Sequence, residues 1–131
     1  MPAKLSNDAI EVGIVVRDSE KSLAFYRDVL GLEYLGDLTF PGNHMWRFQA
    51  GGSVVKLLAQ DPPAAEPPAE PTAGFSYLSL FVSNLDELVD EVAGAGCEIA
   101  IPVTEFQPGA RFAFVRDPEG NRIELLDVAG L

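Results

Sequence analysis

The spacing between apolar residues changes from a strand period to a helical period near the start of the chain. Residues 11–16 alternate between apolar and polar or small side chains, which predicts a β-strand with one face on a core. Residues 18–31 change to a helical period, with Asp18 suited to cap the N-terminus and Gly31 suited to end the helix. Three short strands are then predicted near residues 33–39, 44–49 and 53–58. One strand, one helix and three strands make a βαβββ module.

The same pattern returns in the second half of the chain. Residues 77–82 match 11–16 at an offset of 66, and residues 121–126 match 53–58 at an offset of 68. Such similar offsets indicate two equivalent modules with small differences in their loops. The second module is predicted to contain a strand near 75–82, a helix over 85–95 and strands near 97–101, 111–116 and 121–127.

A proline-rich segment separates the two modules. Five of the eleven residues from Asp61 to Pro71 are prolines, which excludes both a helix and a strand ladder. We therefore predict one domain over residues 1–131, with module one at 9–60, a stiff linker at 61–73 and module two at 74–128. The fold class is α+β, with two βαβββ modules in a pseudo-twofold repeat. Together they would form a concave, cup-like mixed sheet with the helices outside.

The hairpin turns predict which side chains face the cup. Residues 117–120 suit a type I turn with Gly120 in a left-handed position, which places Phe114 opposite Glu124. Applied to module one through the repeat, the same register gives three pairs: Trp46 with Lys56, Phe48 with Val54 and His44 with Leu58.

The predicted cup face mixes aromatic rings with a few charges. A solvated sheet face would not hold so many aromatic residues, and a dry core would not hold two carboxylates and a lysine. A concave apolar surface with few polar groups is typical of a small-molecule site. An aromatic core with a buried Lys–Glu pair, or a dimer interface, remains an open alternative. The candidate ligand-binding residues are Glu11, His44, Trp46, Phe48, Lys56, Phe75, Tyr77, Phe112, Phe114 and Glu124.

Charge and cysteine content limit the partners. The net charge of −11 argues against nucleic acid and anionic membranes, and would favour a cationic ligand if it does more than maintain solubility. No apolar run is long enough to cross a membrane, and the first ten residues lack the pattern of a signal peptide. The lone Cys97 cannot form an internal disulfide. A cytoplasmic protein is expected.

Two segments carry a family resemblance. Residues 15–32 (VVRDSEKSLAFYRDVLGL) and 114–126 (FVRDPEGNRIELL), together with the βαβββ repeat, resemble the vicinal oxygen chelate superfamily. That group includes glyoxalase I, extradiol dioxygenases, fosfomycin-resistance enzymes, methylmalonyl-CoA epimerase and bleomycin-resistance proteins. The resemblance covers nearly the whole chain and implies the cup-like fold. It does not imply one function, because this fold supports several chemistries as well as pure binding.

The resemblance also implies positions for metal ligands. In the enzymes of this group a His or Gln and a Glu in one half, with a His and a Glu in the other, hold a divalent ion. Those positions fall here on Glu11, Lys56, Tyr77 and Glu124, and only Glu124 keeps its usual type. Zn²⁺, Fe²⁺ and Ni²⁺ prefer imidazole or thiolate, and a lysine ammonium would repel any cation. We predict no metal and no cofactor, with Lys56 between the carboxylates of Glu11 and Glu124.

The function favoured at this point is binding without catalysis. A protein similar to the bleomycin-resistance type would form a homodimer and sequester a bulky aromatic drug or antibiotic. It would thereby confer resistance or self-protection. The net charge leaves a cationic ligand as one option. Replacement of Trp46 by alanine would weaken binding by about 1–3 kcal/mol. Three alternatives stay open: a metal-dependent lyase, epimerase or dioxygenase-like enzyme, metal-free catalysis by the charged cluster, and a subunit whose cup another chain fills.

Overall fold

The computed structural model describes residues 2–131 and contains the predicted repeat of two βαβββ modules. A π-helical segment, Ala24–Val29, continues the first helix. In module two, the strand predicted near 97–101 runs on to Gln107. The elements are β1 (Glu11–Val16), α1 (Ser19–Leu23), β2 (Glu33–Phe40), β3 (Asn43–Ala50), β4 (Ser53–Gln60), β5 (Tyr77–Phe81), α2 (Leu85–Gly94), β6 (Ile99–Gln107), β7 (Ala110–Arg116) and β8 (Arg122–Val128).

Each module forms one four-stranded mixed sheet, in the orders β1-β4-β3-β2 and β5-β8-β7-β6. The pairs β1–β4 and β5–β8 are parallel, and the others are antiparallel. Apolar side chains on one face of each sheet pack with the helices into a common core. We call the opposite face of each sheet its open face. These features confirm the predicted α+β class. No helix within residues 2–131 is long and apolar enough to cross a membrane.

A buried hydrogen-bond cluster joins the two modules. The Tyr26 hydroxyl in the π-helical segment donates to Asp117 Oδ2 at 2.7 Å, and both residues are almost fully buried. Asp117 also accepts from the backbone N–H groups of Glu119 and Asn121, at 3.0 and 2.8 Å, and from Asn121 Nδ2 at 2.9 Å. Burial, and then the nearby Asp117 carboxylate, raise the pKa of Tyr26. The hydroxyl therefore stays protonated and keeps its donor.

The hairpin register predicted for module two is confirmed. Phe114 lies opposite Glu124, and Phe112 lies opposite Leu126. The backbone N–H of Asp117 donates to the Asn121 carbonyl at 2.9 Å and closes the turn as expected. The acidic turn residue thus sets the hairpin and anchors the module contact at the same time.

The register predicted for module one is wrong by one residue. Only two residues, Gly51 and Gly52, connect the paired residues Ala50 and Ser53, whereas the module-two hairpin has a longer turn. The longer turn of module two therefore does not apply to the β3–β4 hairpin. A slip of one residue in register moves every side chain of the strand to the other face. The observed pairs are Trp46 with Leu57, Phe48 with Val55 and His44 with Ala59.

Candidate functional site

The corrected register removes two aromatic residues from the open face of module one. Phe48 is fully buried on the helix-facing side, where its ring centroid lies 6.4 Å from that of Tyr26. Trp46 shares this face and packs against the edge of the core. The prediction that Trp46 and Phe48 face the cup is therefore wrong.

His44 also lies on the helix-facing side of the sheet. Its Nε2 is 2.7 Å from Asp37 Oδ2, its Nδ1 is 2.9 Å from Thr39 Oγ1, and its ring centroid lies 4.5 Å from that of Trp46. Asp37 and Thr39 come from the adjacent strand β2, directly opposite Trp46 and His44. The predicted placement of His44 on the cup face is wrong for the same reason as that of Trp46.

The open face of module two holds a continuous aromatic row. The Tyr77 ring on β5 lies 4.9 Å from Phe114, edge to face, and Phe114 lies 5.9 Å from Phe112. Phe106 on β6 extends the row, 5.7 Å from Phe112. Edge-to-face contact is a preferred arrangement of aromatic rings, so the rings hold one another in place. Tyr77 and Phe106 are about half exposed, so the row is accessible.

Two charged residues border the aromatic row. The Arg122 guanidinium lies 5.8 Å from the Tyr77 ring and 5.7 Å from the Phe114 ring, within cation–π range, and donates a hydrogen bond to Ser76. Glu124 lies two positions further along β8 on the same face, where it accepts a 2.7 Å hydrogen bond from the Ser79 hydroxyl. The row therefore carries one fixed cation and one fixed carboxylate.

An ion pair occupies the open face of module one. Lys56 Nζ on β4 lies 3.3 Å from Glu11 Oε1 on the neighbouring strand β1. The Lys56 side chain is 28% exposed and the Glu11 side chain is 50% exposed, so water reaches the pair and partly screens it. The ion pairs formed within the described residues include none between Lys56 and Glu124. One half of the predicted Glu11–Lys56–Glu124 arrangement is present.

The residues at the four positions implied by the resemblance do not fit a divalent metal. No cluster of three or more His, Cys, Asp or Glu side chains within residues 2–131 is arranged to hold an ion. At two of those positions the Lys56 ammonium neutralises the Glu11 carboxylate and would repel a cation. At the other two, Tyr77 supplies a phenol and Glu124 is hydrogen-bonded by Ser79. This donor set differs from the imidazole and thiolate ligands that Zn²⁺, Fe²⁺ and Ni²⁺ prefer.

A cleft runs between the two modules, along the edge strands β1 and β5. Its volume is about 1140 Å³, large enough for a drug-sized molecule. Glu11 lines it from module one, and Phe75, Tyr77 and Arg122 line it from module two. Phe75, just before β5, is fully exposed at the cleft. The cleft therefore brings Glu11, Phe75 and Tyr77 together from distant parts of the chain.

Sequence reasoning missed several residues of these surfaces. Arg122 precedes Glu124 by two positions, so the period of two along β8 could have placed it on the same face. Phe106 belongs to a part of β6 that was not predicted as strand. Arg47 shares the open face with Lys56, its partner across the β3–β4 hairpin. The predicted register paired Lys56 with Trp46 instead and so did not place Arg47 on this face.

Comparison with protein families agrees with the resemblance seen in the sequence. Residues 9–125 match the model of the glyoxalase/bleomycin resistance protein/dioxygenase superfamily. The uncharacterized protein YwkD of Bacillus subtilis is 32% identical over 120 residues, which cover 88% of this chain and 93% of that protein. A probable lactoylglutathione lyase of Synechocystis is 25% identical over 123 residues, covering 88% of this chain and 92% of that protein.

Solved structures share the arrangement of both modules. A glyoxalase family protein from Bacillus cereus superimposes with a TM-score of 0.82 at 21% identity, and 97% of each chain is covered. At this identity the likeness concerns the fold alone. The family match over residues 9–125 is the stronger finding. On this basis the chain belongs to the glyoxalase/bleomycin resistance protein/dioxygenase superfamily.

Proposed function

We propose that this protein binds and sequesters a bulky aromatic small molecule without the help of a metal, as a means of resistance or self-protection. The observation that carries the proposal is the Lys56–Glu11 ion pair, which stands at two positions where metal-dependent relatives are expected to hold their ion. The cleft beside this pair, whose mostly apolar lining includes the aromatic residues Phe75, Tyr77 and Phe81, provides a place for a ligand. Binding needs only such a surface, whereas the metal chemistry of the fold needs the imidazole ligands that positions 11, 56, 77 and 124 do not carry.

The aromatic row would supply most of the affinity. Tyr77, Phe112 and Phe114 already support one another by edge-to-face contacts, so little side-chain freedom is lost when a ligand binds. Arg122 is held over two of these rings, and Glu124 is held by Ser79. These fixed polar groups would orient the ligand rather than drive its binding.

A fluorescence titration with the uncharged probe N-phenyl-1-naphthylamine tests this function. We expect saturable binding that is unchanged by excess chelator, and about ten-fold or more weakening in Phe114→Ala, the usual range for an aromatic anchor. Tyr34→Ala is the control, since Tyr34 is an exposed aromatic residue that lies on the helix-facing side. Binding that needs an added divalent ion, or that is equally weakened in both variants, would refute the proposal.

We also propose that the protein works as a cytoplasmic homodimer. Large apolar side chains at the seam of the two modules are exposed in the single chain, notably Phe75 and Phe81, the latter 61% exposed. A second copy of the chain could cover them and extend the cleft. Light scattering at micromolar concentration should give twice the mass of 14.1 kDa. A monomer at that concentration would contradict this part of the proposal.

A metal-dependent enzyme is the second candidate. It is favoured by the likeness to a probable lactoylglutathione lyase over 88% of this chain. Under that alternative Glu124 would be a ligand, and Glu124→Gln would abolish both metal retention and activity. The Lys56 ammonium argues against a metal-dependent enzyme, because it would repel a divalent ion at this position.

A further inference from the structure

Four residues at one level of the module-one sheet form a row across its open face. Gly13 on β1 pairs with Lys56 on β4, Lys56 pairs with Arg47 on β3, and Arg47 pairs with Gly36 on β2. Residues paired directly across strands project on one face, with side-chain origins about 5 Å apart. The row therefore presents two adjacent cations with a glycine at either end. We call it the cation row.

The two cations are an energetic cost that the chain itself only partly offsets. Like charges directly opposite each other destabilise a sheet. Lys56 is paired with Glu11, but the ion pairs and side-chain hydrogen bonds within residues 2–131 include none to Arg47. Glu33, on the same face beside the row, lies opposite Gln49 and forms no ion pair with Arg47. A half-buried arginine in this situation is suited to an external anion.

The Gly36 end of the row leaves space for a ligand. At Gly13 the nearest atom to an added Cβ would be Leu58 Cδ1 at 3.4 Å, and at Gly36 nothing lies within 4 Å. The next row of the same face is entirely apolar. It consists of Val15, Leu58, Met45 and Leu38. Its two ends, Val15 and Leu38, are 41% and 50% exposed. The cation row thus lies beside an accessible apolar strip.

We propose that the cation row binds the oxyanion of an apolar acid, a carboxylate, phosphate or sulfonate carried by an apolar body. The Arg47 guanidinium offers parallel N–H donors that match such a group, and the Lys56 ammonium adds a point charge. The apolar body lies on the strip of Val15, Leu58, Met45 and Leu38. This inference rests on the proposed binding function and gives it a ligand class, an acid rather than the cation suggested by the net charge.

Two fluorescent probes that differ by one sulfonate test the inference. We expect 8-anilino-1-naphthalenesulfonate to bind the intact protein about ten-fold more tightly than N-phenyl-1-naphthylamine, because only the sulfonate can engage Arg47. Arg47→Gln should abolish most of this preference, and Arg47→Lys should restore part of it. Arg27→Gln is the matched control, since Arg27 pairs with the neighbouring exposed Asp28 and should leave the preference unchanged.

Competition then separates the two sources of an oxyanion. Octanoate should displace the sulfonate probe at concentrations where inorganic phosphate does not, because only octanoate also covers the apolar strip. Displacement by phosphate alone, as effective as by octanoate, would contradict the apolar part of the proposal. Thermal unfolding checks the fold, and Arg47→Gln should be no less stable than the parent because it relieves the repulsion with Lys56.

The outcomes distinguish this inference from the proposed function. Equal affinity for both probes, or a preference that survives Arg47→Gln, would refute the cation row as an anion site while leaving the binding function intact. Absence of binding by either probe would refute the binding function itself and this inference with it. A change of oligomeric state in Arg47→Gln, with the preference unchanged, would overturn the inference and assign the row to an interface between copies.

Discussion

Replacement of Tyr26 by phenylalanine should destabilise the protein out of proportion to the single atom removed. The Tyr26 hydroxyl donates the 2.7 Å hydrogen bond that links module one to Asp117 in the β7–β8 turn of module two. Tyr26 is fully buried and Asp117 is 4% exposed, so water cannot easily replace the lost donor. The phenylalanine ring fills the same space, and the change therefore isolates the hydrogen bond.

The expected magnitude follows from the surroundings of Asp117. A hydrogen bond to a charged group contributes about 1.5–3 kcal/mol. Three other donors, from Glu119 and Asn121, continue to hold the carboxylate, which places the expected loss near the middle of that range, at about 2 kcal/mol. At about 2.1 cal/mol/K of unfolding entropy per residue, a chain of this length should lose about 7 °C in Tm.

Differential scanning calorimetry of both proteins at pH 7 measures this loss. Tyr34→Phe is the control, because the Tyr34 hydroxyl is exposed and its hydrogen bond to Asp37 is longer, at 3.3 Å. The control should change Tm by less than about 2 °C, as surface hydrogen bonds contribute little. If Tyr26→Phe changed Tm as little as the control, the buried Tyr26–Asp117 hydrogen bond would not stabilise the contact between the modules.

Two further predictions concern the same core. Trp46→Ala should cost about 3 kcal/mol of unfolding free energy in a urea titration, the lower end of the range for aromatic core residues, because Trp46 is only partly buried. It should leave the affinity for N-phenyl-1-naphthylamine unchanged, since Trp46 packs on the helix-facing side, and a selective loss of affinity would return Trp46 to the site. Because the pKa of Tyr26 is raised on folding, the stability that its protonated hydroxyl contributes should be fully present below pH 10. Above pH 10 the free energy of unfolding should fall by about 1.4 kcal/mol per pH unit. Denaturant titrations between pH 8 and 11 check this, and Tyr26→Phe should lack that slope.

The fold could be predicted from local signals because each module repeats them. Strand and helix periods, and the turn at residues 117–120, were sufficient for the element order and for the register of β7 with β8. The turn at Gly51 and Gly52 carries no side chain that specifies its length, so only the repeat predicts the register of β3 with β4, and that register is wrong by one residue. That one-residue error placed Trp46 on the wrong face.

The site could be predicted only in part, because it depends on how distant elements meet. The alternation along β8 and β7 was sufficient to group Phe112, Phe114 and Glu124. The cleft arises where the edge strands β1 and β5 face each other, which no local pattern specifies. The pairing of Arg47 with Lys56 became visible only with the observed register. Local alternation therefore predicts Phe112, Phe114 and Glu124, whereas the cleft and the Arg47–Lys56 pair depend on how separate strands are placed.

The most direct test of the central claim, that the protein acts without a metal, is the metal content after loading. The protein would be dialysed against Mn²⁺, Fe²⁺, Ni²⁺ and Zn²⁺ in turn, freed of excess ion and measured by mass spectrometry of the elements. Because the Lys56 ammonium lies against the Glu11 carboxylate, we expect far less than one ion per chain with every metal. Stoichiometric retention of any one of them, lost in Glu124→Gln, would contradict the claim and identify a metalloenzyme.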